Sequence, residues 1–167
     1  MLLSNKLQKR TRFLLELQYD KNGGCIVHND PSNLIVAISR AMNRKLNKNR
    51  FDDRLLMQKG CYILNSWGFG PKYRYSLYIR GPYSSELADD YFEMTSPGKV
   101  TDVPEEAIHH LSEIMTKGIE FTEAYATVLL IKNNNPGKSN NDIFNRALEI
   151  KPHLKKEIVE VCPSILN

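Results

Sequence analysis

Apolar positions set the first element. Leu56, Gly60, Ile63 and Trp67 recur at the i, i+4, i+7 and i+11 steps that gather on one face of a helix, and Leu55, Tyr62 and Leu64 widen that face. Asp52 and Asp53 stand where a helix start is capped, and Gly68 stands where a left-handed residue stops one. Tyr73, Tyr75, Leu77 and Ile79 then alternate with Arg74, Ser76, Tyr78 and Arg80, the period-two pattern of a half-buried strand. The spacing predicts a short strand or hairpin between Pro71 and Arg80, with the Trp67-to-Pro71 stretch as an irregular partner. Gly81-Pro82 breaks the strand. Ser84 or Ser85 caps a new helix, whose Tyr83, Leu87 and Tyr91 form an inward stripe.

The flanks read as helical support. Leu3, Leu7, Leu14 and Leu17 predict a helix over Leu2 to Tyr19, ended by the glycines that follow Asp20. Asn29 or Asp30 followed by Pro31 predicts a cap and a first-turn proline for a helix through Leu34, Ile38, Met42 and Leu46. Downstream, Asp102-Val-Pro-Glu105 has capping-box spacing and opens a helix through Ile108, Leu111 and Met115 that breaks at Gly118. Phe121, Tyr125, Val128 and Leu129 predict a largely apolar helix at the centre of the bundle. Ser139 caps another, Pro152 interrupts it, and Leu154, Ile158 and Val161 form a last helix before Pro163. The expected fold is mainly α (α+β): one domain over residues 1–167, a helical bundle with a short β-hairpin and a winged-helix flavour. Its three parts are basic N-terminal helices (1–50), the Gln-Lys helix with hairpin and Gly-Pro turn (51–94), and a C-terminal helical part (95–167).

Length and charge narrow the class. A chain of 167 residues suffices for one core, and no apolar run reaches the roughly 18 residues of a membrane span. Lys6, Lys9, Arg10 and Arg12 interrupt the N-terminus where a secretory signal would be apolar, so a cytoplasmic location without membrane association is expected. Three cysteines at no motif spacing imply reduced thiols. The net charge of +4 conceals an asymmetry: residues 1–80 carry 15 Lys or Arg against 5 Asp or Glu, a balance of +10, and residues 81–167 carry 8 against 14, a balance of −6. Arg40, Arg44, Lys45, Lys48, Arg50 and Arg54 cluster on the expected exposed side of one helix, with Lys72 and Arg74 on the hairpin. That density suits phosphate neutralisation, and DNA binding by a regulator is the alternative function. A merely solvated basic face is the plainer reading.

No catalytic chemistry emerges. Pro136-Gly137-Lys138-Ser139 ends like a phosphate-binding loop but has Lys132 where the first Gly belongs. His109 and His110 are adjacent, about 100° apart on a helix, and do not share a metal. Ser84 and Ser85 lack the nucleophile-elbow pattern, and Asp89, Asp90 and Glu86 fit a solvated helix face. No catalytic residue, metal or cofactor is expected.

What remains is Gln58, Lys59, Tyr62, Tyr78, Arg80, Gly81, Pro82, Tyr83 and Ser84: a rigid Gly-Pro turn among tyrosines beside an arginine, the composition of a protein-recognition hot spot. The plainer reading packs Tyr62 and Tyr83 against the turn and gives its carbonyls to Gln58 or Lys59. Met57-Gln58-Lys59, Tyr62-Ile63-Leu64, the aromatic strand and Gly81-Pro82-Tyr83-Ser84-Ser85-Glu86-Leu87 together resemble the YwgA-like family. More distantly they resemble the Panacea (SocA-like) antitoxin domains, which carry an analogous Gln-Lys helix and Gly-Pro turn. Thr122-Glu-Ala-Tyr-Ala-Thr-Val-Leu-Leu-Ile-Lys and Ala147-Leu-Glu-Ile-Lys-Pro extend the likeness, which covers roughly residues 51–161. It departs at Gly60, where Leu is usual, and at Met57, which replaces Leu. The resemblance implies a non-enzymatic regulatory module that binds another protein, antitoxin-like or linked to defence or mobile elements.

Overall fold

The computed structural model describes residues 18–19, 25–26, 30–95, 98 and 100–166. The chain divides after Asp30 into two units. In the first, β1 (Gln18–Tyr19) pairs antiparallel with β2 (Cys25–Ile26), in the register Gln18 to Ile26 and Tyr19 to Cys25. The predicted first helix thus does not extend to Tyr19, and its remainder lies outside the described residues.

The second unit, residues 31–167, is a mainly helical domain with a short hairpin. Its elements are α1 (Ser32–Ala41), α2 (Phe51–Ser66), β3 (Ser76–Tyr78), β4 (Gly81–Tyr83), α3 (Ser85–Glu93), α4 (Glu105–Met115), α5 (Ile119–Asn134), α6 (Asn140–Ile150), a 3-10 turn (Pro152–Leu154) and α7 (Lys155–Leu166). At the centre lies α5, with every residue from Phe121 to Val128 buried, the polar Thr122, Glu123 and Thr127 included. Gly60 lets α1 and α2 approach, because a Cβ there would lie 2.7 Å from Ile38 Cδ1. Gly68, at φ +92°, ends α2 as expected.

Several local expectations are revised. α1 stops at Ala41, with Asn43 at φ +50°, so Leu46 lies in a loop. Asp53 does not cap α2 but is buried, accepting Arg44 Nη2 at 2.7 Å and Asn47 N–H at 2.8 Å. Asp102 forms no capping box; it accepts from the Asn33 side chain and ties its loop to α1. α7 runs through Pro163, with Ile165 and Leu166 buried beyond it.

The largest revision concerns the hairpin. Gly81-Pro82-Tyr83 is the partner strand rather than a strand break: Tyr78 pairs with Gly81, Leu77 with Pro82 and Ser76 with Tyr83. Pro is tolerated because a two-stranded ribbon is all edge. Tyr73 and Tyr75 alternate like a strand but belong to the preceding loop. There Asn65 Nδ2 donates to Phe69 and Pro71 carbonyls, and Tyr75 Oη donates to Asn65 Oδ1 at 3.0 Å.

Candidate functional site

A hairpin with three-residue strands cannot hold itself, and its inward carbonyls need donors. Three buried side chains supply them. From α2, Gln58 exchanges two 2.9 Å bonds with the Ser84 backbone, Nε2 donating to the carbonyl and Oε1 accepting from the N–H. One residue on, Lys59 Nζ donates to Pro82 O at 2.9 Å. From the C-terminal end of α6, Lys151 Nζ donates to Tyr78 O at 3.2 Å and to Ile79 O. The strand then leads directly into α3, capped by Ser84 Oγ accepting from Leu87 N–H. Gly81 is required twice over, since its φ is +80° and a Cβ would lie 2.9 Å from Thr127 Oγ1.

Beneath the hairpin lies a buried charge cluster. Glu123 of α5 accepts from Lys151 at 2.9 Å through Oε1, and its Oε2 lies 3.9 Å from Arg80. Glu123, Lys59 and Lys151 are 1%, 3% and 2% exposed, so two buried ammonium groups lie near one carboxylate, which Lys151 contacts. Lys59 is the one without a carboxylate contact. Burial pulls its ammonium down to about 8; Glu123 opposes that shift, and Lys151 and Arg80 add to it. Thr127 Oγ1, also buried, has no hydrogen-bond partner.

Beside the hairpin opens a cleft of about 270 Å³ between α2, α3 and the turn. Phe51, Leu55, Tyr78, Ile79, Tyr91 and Phe92 give it apolar walls, and its lining cations are Arg54, Lys59 and Arg80. Seven large apolar side chains are exposed among the described residues, and four of them, Phe51, Tyr78, Ile79 and Phe92, line this cleft. Ile79 at the hairpin tip is 85% exposed.

The hot-spot residues named from sequence divide accordingly. Gln58, Lys59, Gly81, Pro82 and Ser84 are buried and build the hairpin seat. Tyr62 is core, stacked edge-on with Tyr75 at 4.9 Å and accepting from Asn133 at 3.2 Å. Tyr78 and Arg80 are exposed, and Tyr83 is half-buried with its ring 5.2 Å from that of Tyr78. Sequence reasoning missed Phe51, Ile79, Phe92, Glu123 and Lys151 as members of the site.

The basic cluster is not one helical face. Arg40 lies in the last turn of α1, Arg44, Lys45 and Lys48 lie in the following loop, Arg50 precedes α2, and Arg54 lies within it. Arg40 pairs with Glu105 at 2.6 Å and Arg44 with buried Asp53. Lys48 donates to the carbonyls of Phe92 and Met94, both at 2.7 Å, and Arg54 donates to Lys48 O at 3.1 Å. Lys45, Arg50 and Lys72 are exposed, and Arg74 pairs with Glu86 at 3.2 Å. His109 and His110 both contact Glu113, and Ser139 forms a capping box with Asp142. Among the described residues no group of three His, Cys, Asp or Glu is placed to hold a metal, and no helix is long and apolar enough to cross a membrane. Cys61 and Cys162 are buried free thiols whose pKa values burial raises.

No family model, curated protein or solved structure matches the chain.

Proposed function

We propose that the protein is a non-enzymatic regulatory module that binds another protein through the cleft beside the hairpin. One observation carries the reading: four exposed large apolar side chains converge on a single cleft whose lining cations are Arg54, Lys59 and Arg80. Scattered exposed apolar residues are ordinary, whereas a cluster rimmed by polar groups marks interaction surfaces. Tyr and Arg at such a cluster supply contact area and hydrogen bonds together. The likeness of the Gln-Lys helix and Gly-Pro turn to the Panacea antitoxin domains supports the antitoxin-like, regulatory side of the proposal.

Nucleic-acid binding through Arg40 to Arg54 is the weaker reading, because Arg40, Arg44, Lys48 and Arg54 already hold Glu105, Asp53 and backbone carbonyls.

The test is comparative capture from nuclease-treated host lysate. Wild type and Val159→Asp, which alters an exposed apolar site away from the cleft, should retain the same stoichiometric protein. Ile79→Asp and Phe92→Asp should lose it while melting like wild type. A partner kept by all four chains, or nucleic acid recovered in its place, would overturn the proposal.

A further inference from the structure

The cleft also carries information about what fills it. Its apolar walls come from three elements, Phe51 and Leu55 of α2, Tyr91 and Phe92 of α3, and Tyr78 and Ile79 of the hairpin. At about 270 Å³ it is at or below the small end of ligand pockets, and it suits side chains of a larger partner better than a free cofactor. No carboxylate lines the cleft; of its cations, Arg54 donates to Lys48 O and Arg80 lies 3.9 Å from buried Glu123 beneath.

The buried cluster below sharpens this. Lys151 and Arg80 approach the two oxygens of Glu123, and Lys59 holds only a neutral carbonyl, that of Pro82. Burying an ammonium without an anion is costly, so a carboxylate arriving in the cleft near Lys59 and Arg80 would complete the cluster. Peptide carboxylates do this well when the apolar surround excludes water, because charge-assisted hydrogen bonds are the strong ones.

We propose that the cleft receives a linear segment of the partner polypeptide in which an acidic residue adjoins a large apolar one, the carboxylate meeting Lys59 and Arg80 and the apolar side chain packing among Phe51, Ile79 and Phe92. This rests on the protein-binding reading and names the chemistry of its partner. It differs from a generic sticky surface in requiring both features within one short segment.

The charges acting on Lys59 are Glu123 from α5, Lys151 from the end of α6 and Arg80 from the hairpin, and Arg54, Tyr78, Tyr83 and Tyr91 line the cleft with it. Lys59 holds its proton only to about 8, so affinity for an acidic segment should fall as pH rises from 7 to 9.5.

The experiment is a random-peptide display selection against the isolated full chain. Enriched peptides should place Asp or Glu within two residues of Leu, Ile, Phe or Trp. A synthetic winner should bind about tenfold or more tightly than its Asp→Asn or Glu→Gln version, the effect of one charge-assisted hydrogen bond. Its affinity should drop by a similar factor in Arg80→Gln, and its loss above pH 8 should disappear in Lys59→Met. Winners without carboxylates would overturn the proposal. So would acidic winners indifferent to both substitutions, or equal competition by inorganic phosphate or by single-stranded RNA. The selection uses only the isolated chain, so its failure is separate from failure to capture a partner from lysate.

Discussion

Two regions of this molecule are rich in cations, and they are finished differently. In the segment from Arg40 to Arg54, most cations have a designated acceptor: Glu105, buried Asp53, or the carbonyls of Lys48, Phe92 and Met94. In the cleft beside the hairpin, cations outnumber carboxylates and lie among exposed apolar side chains. A matched cation is a staple that ties a loop to its neighbours. The cleft cations have acceptors too, Lys48 O for Arg54, Pro82 O for Lys59 and Glu123 for Arg80, and what sets them apart is the exposed apolar surface around them. Density of Lys and Arg in sequence does not separate these cases; the exposed apolar side chains around the cations do.

The comparison can be broken at its strongest points first. Lys151→Met should cost about 3–5 kcal/mol, because it leaves Glu123 buried without its close partner and frees the carbonyls at the hairpin tip. Adding Glu123→Gln should recover part of the loss, and a thermal-unfolding double-mutant cycle measures the coupling. Gly81→Ala follows at about 2–4 kcal/mol, from positive φ and the close approach of Thr127 Oγ1.

On the staple side, Asp53→Asn should cost about 2 kcal/mol in denaturant titration at neutral pH. Burial works against the Asp53 carboxylate, but Arg44 and the Asn47 N–H outweigh it and hold its pKa below the ordinary value. Its contribution is therefore present above about pH 4 and lost as pH falls through the folded-state value. Asp53→Asn should flatten that part of the acid profile.

Lys59 should behave in the opposite sense. Its folded-state amine releases its proton near 8, against 10.5 without burial, so the unfolded chain binds the extra proton between these values and stability rises with pH across that window. Lys59→Met should abolish the rise. Smallest of all, Ile79→Asp should change stability by no more than about 0.5 kcal/mol, since the side chain is 85% exposed, while removing partner capture.

Much of the fold was readable in the apolar spacing of α2 and α5 and in the caps at Ser84 and Ser139. The hairpin was readable in kind but misplaced. Tyr73 and Tyr75 alternate like strand residues because the loop that Asn65 holds is itself extended and half-buried, and Gly81-Pro82 looks like a break to any rule that asks Pro for a donor. In the site, Gln58 and Lys59 were found beside the Gly-Pro turn, where they seat the hairpin as the plainer reading of the sequence had it. Glu123 and Lys151 carry no local sign, since their meaning arises from contacts 28 residues apart with each other and 72 residues back to Ile79. Phe51 and Phe92 belong to no apolar stripe named from the sequence, and both stand exposed at the cleft.

The most direct test of the central claim is in-cell photo-crosslinking from two positions, with a benzophenone side chain at Ile79 in one chain and at Lys45 in another. The account predicts a discrete protein adduct from position 79 and none from position 45. An adduct with nucleic acid at position 45, with position 79 silent, would contradict it.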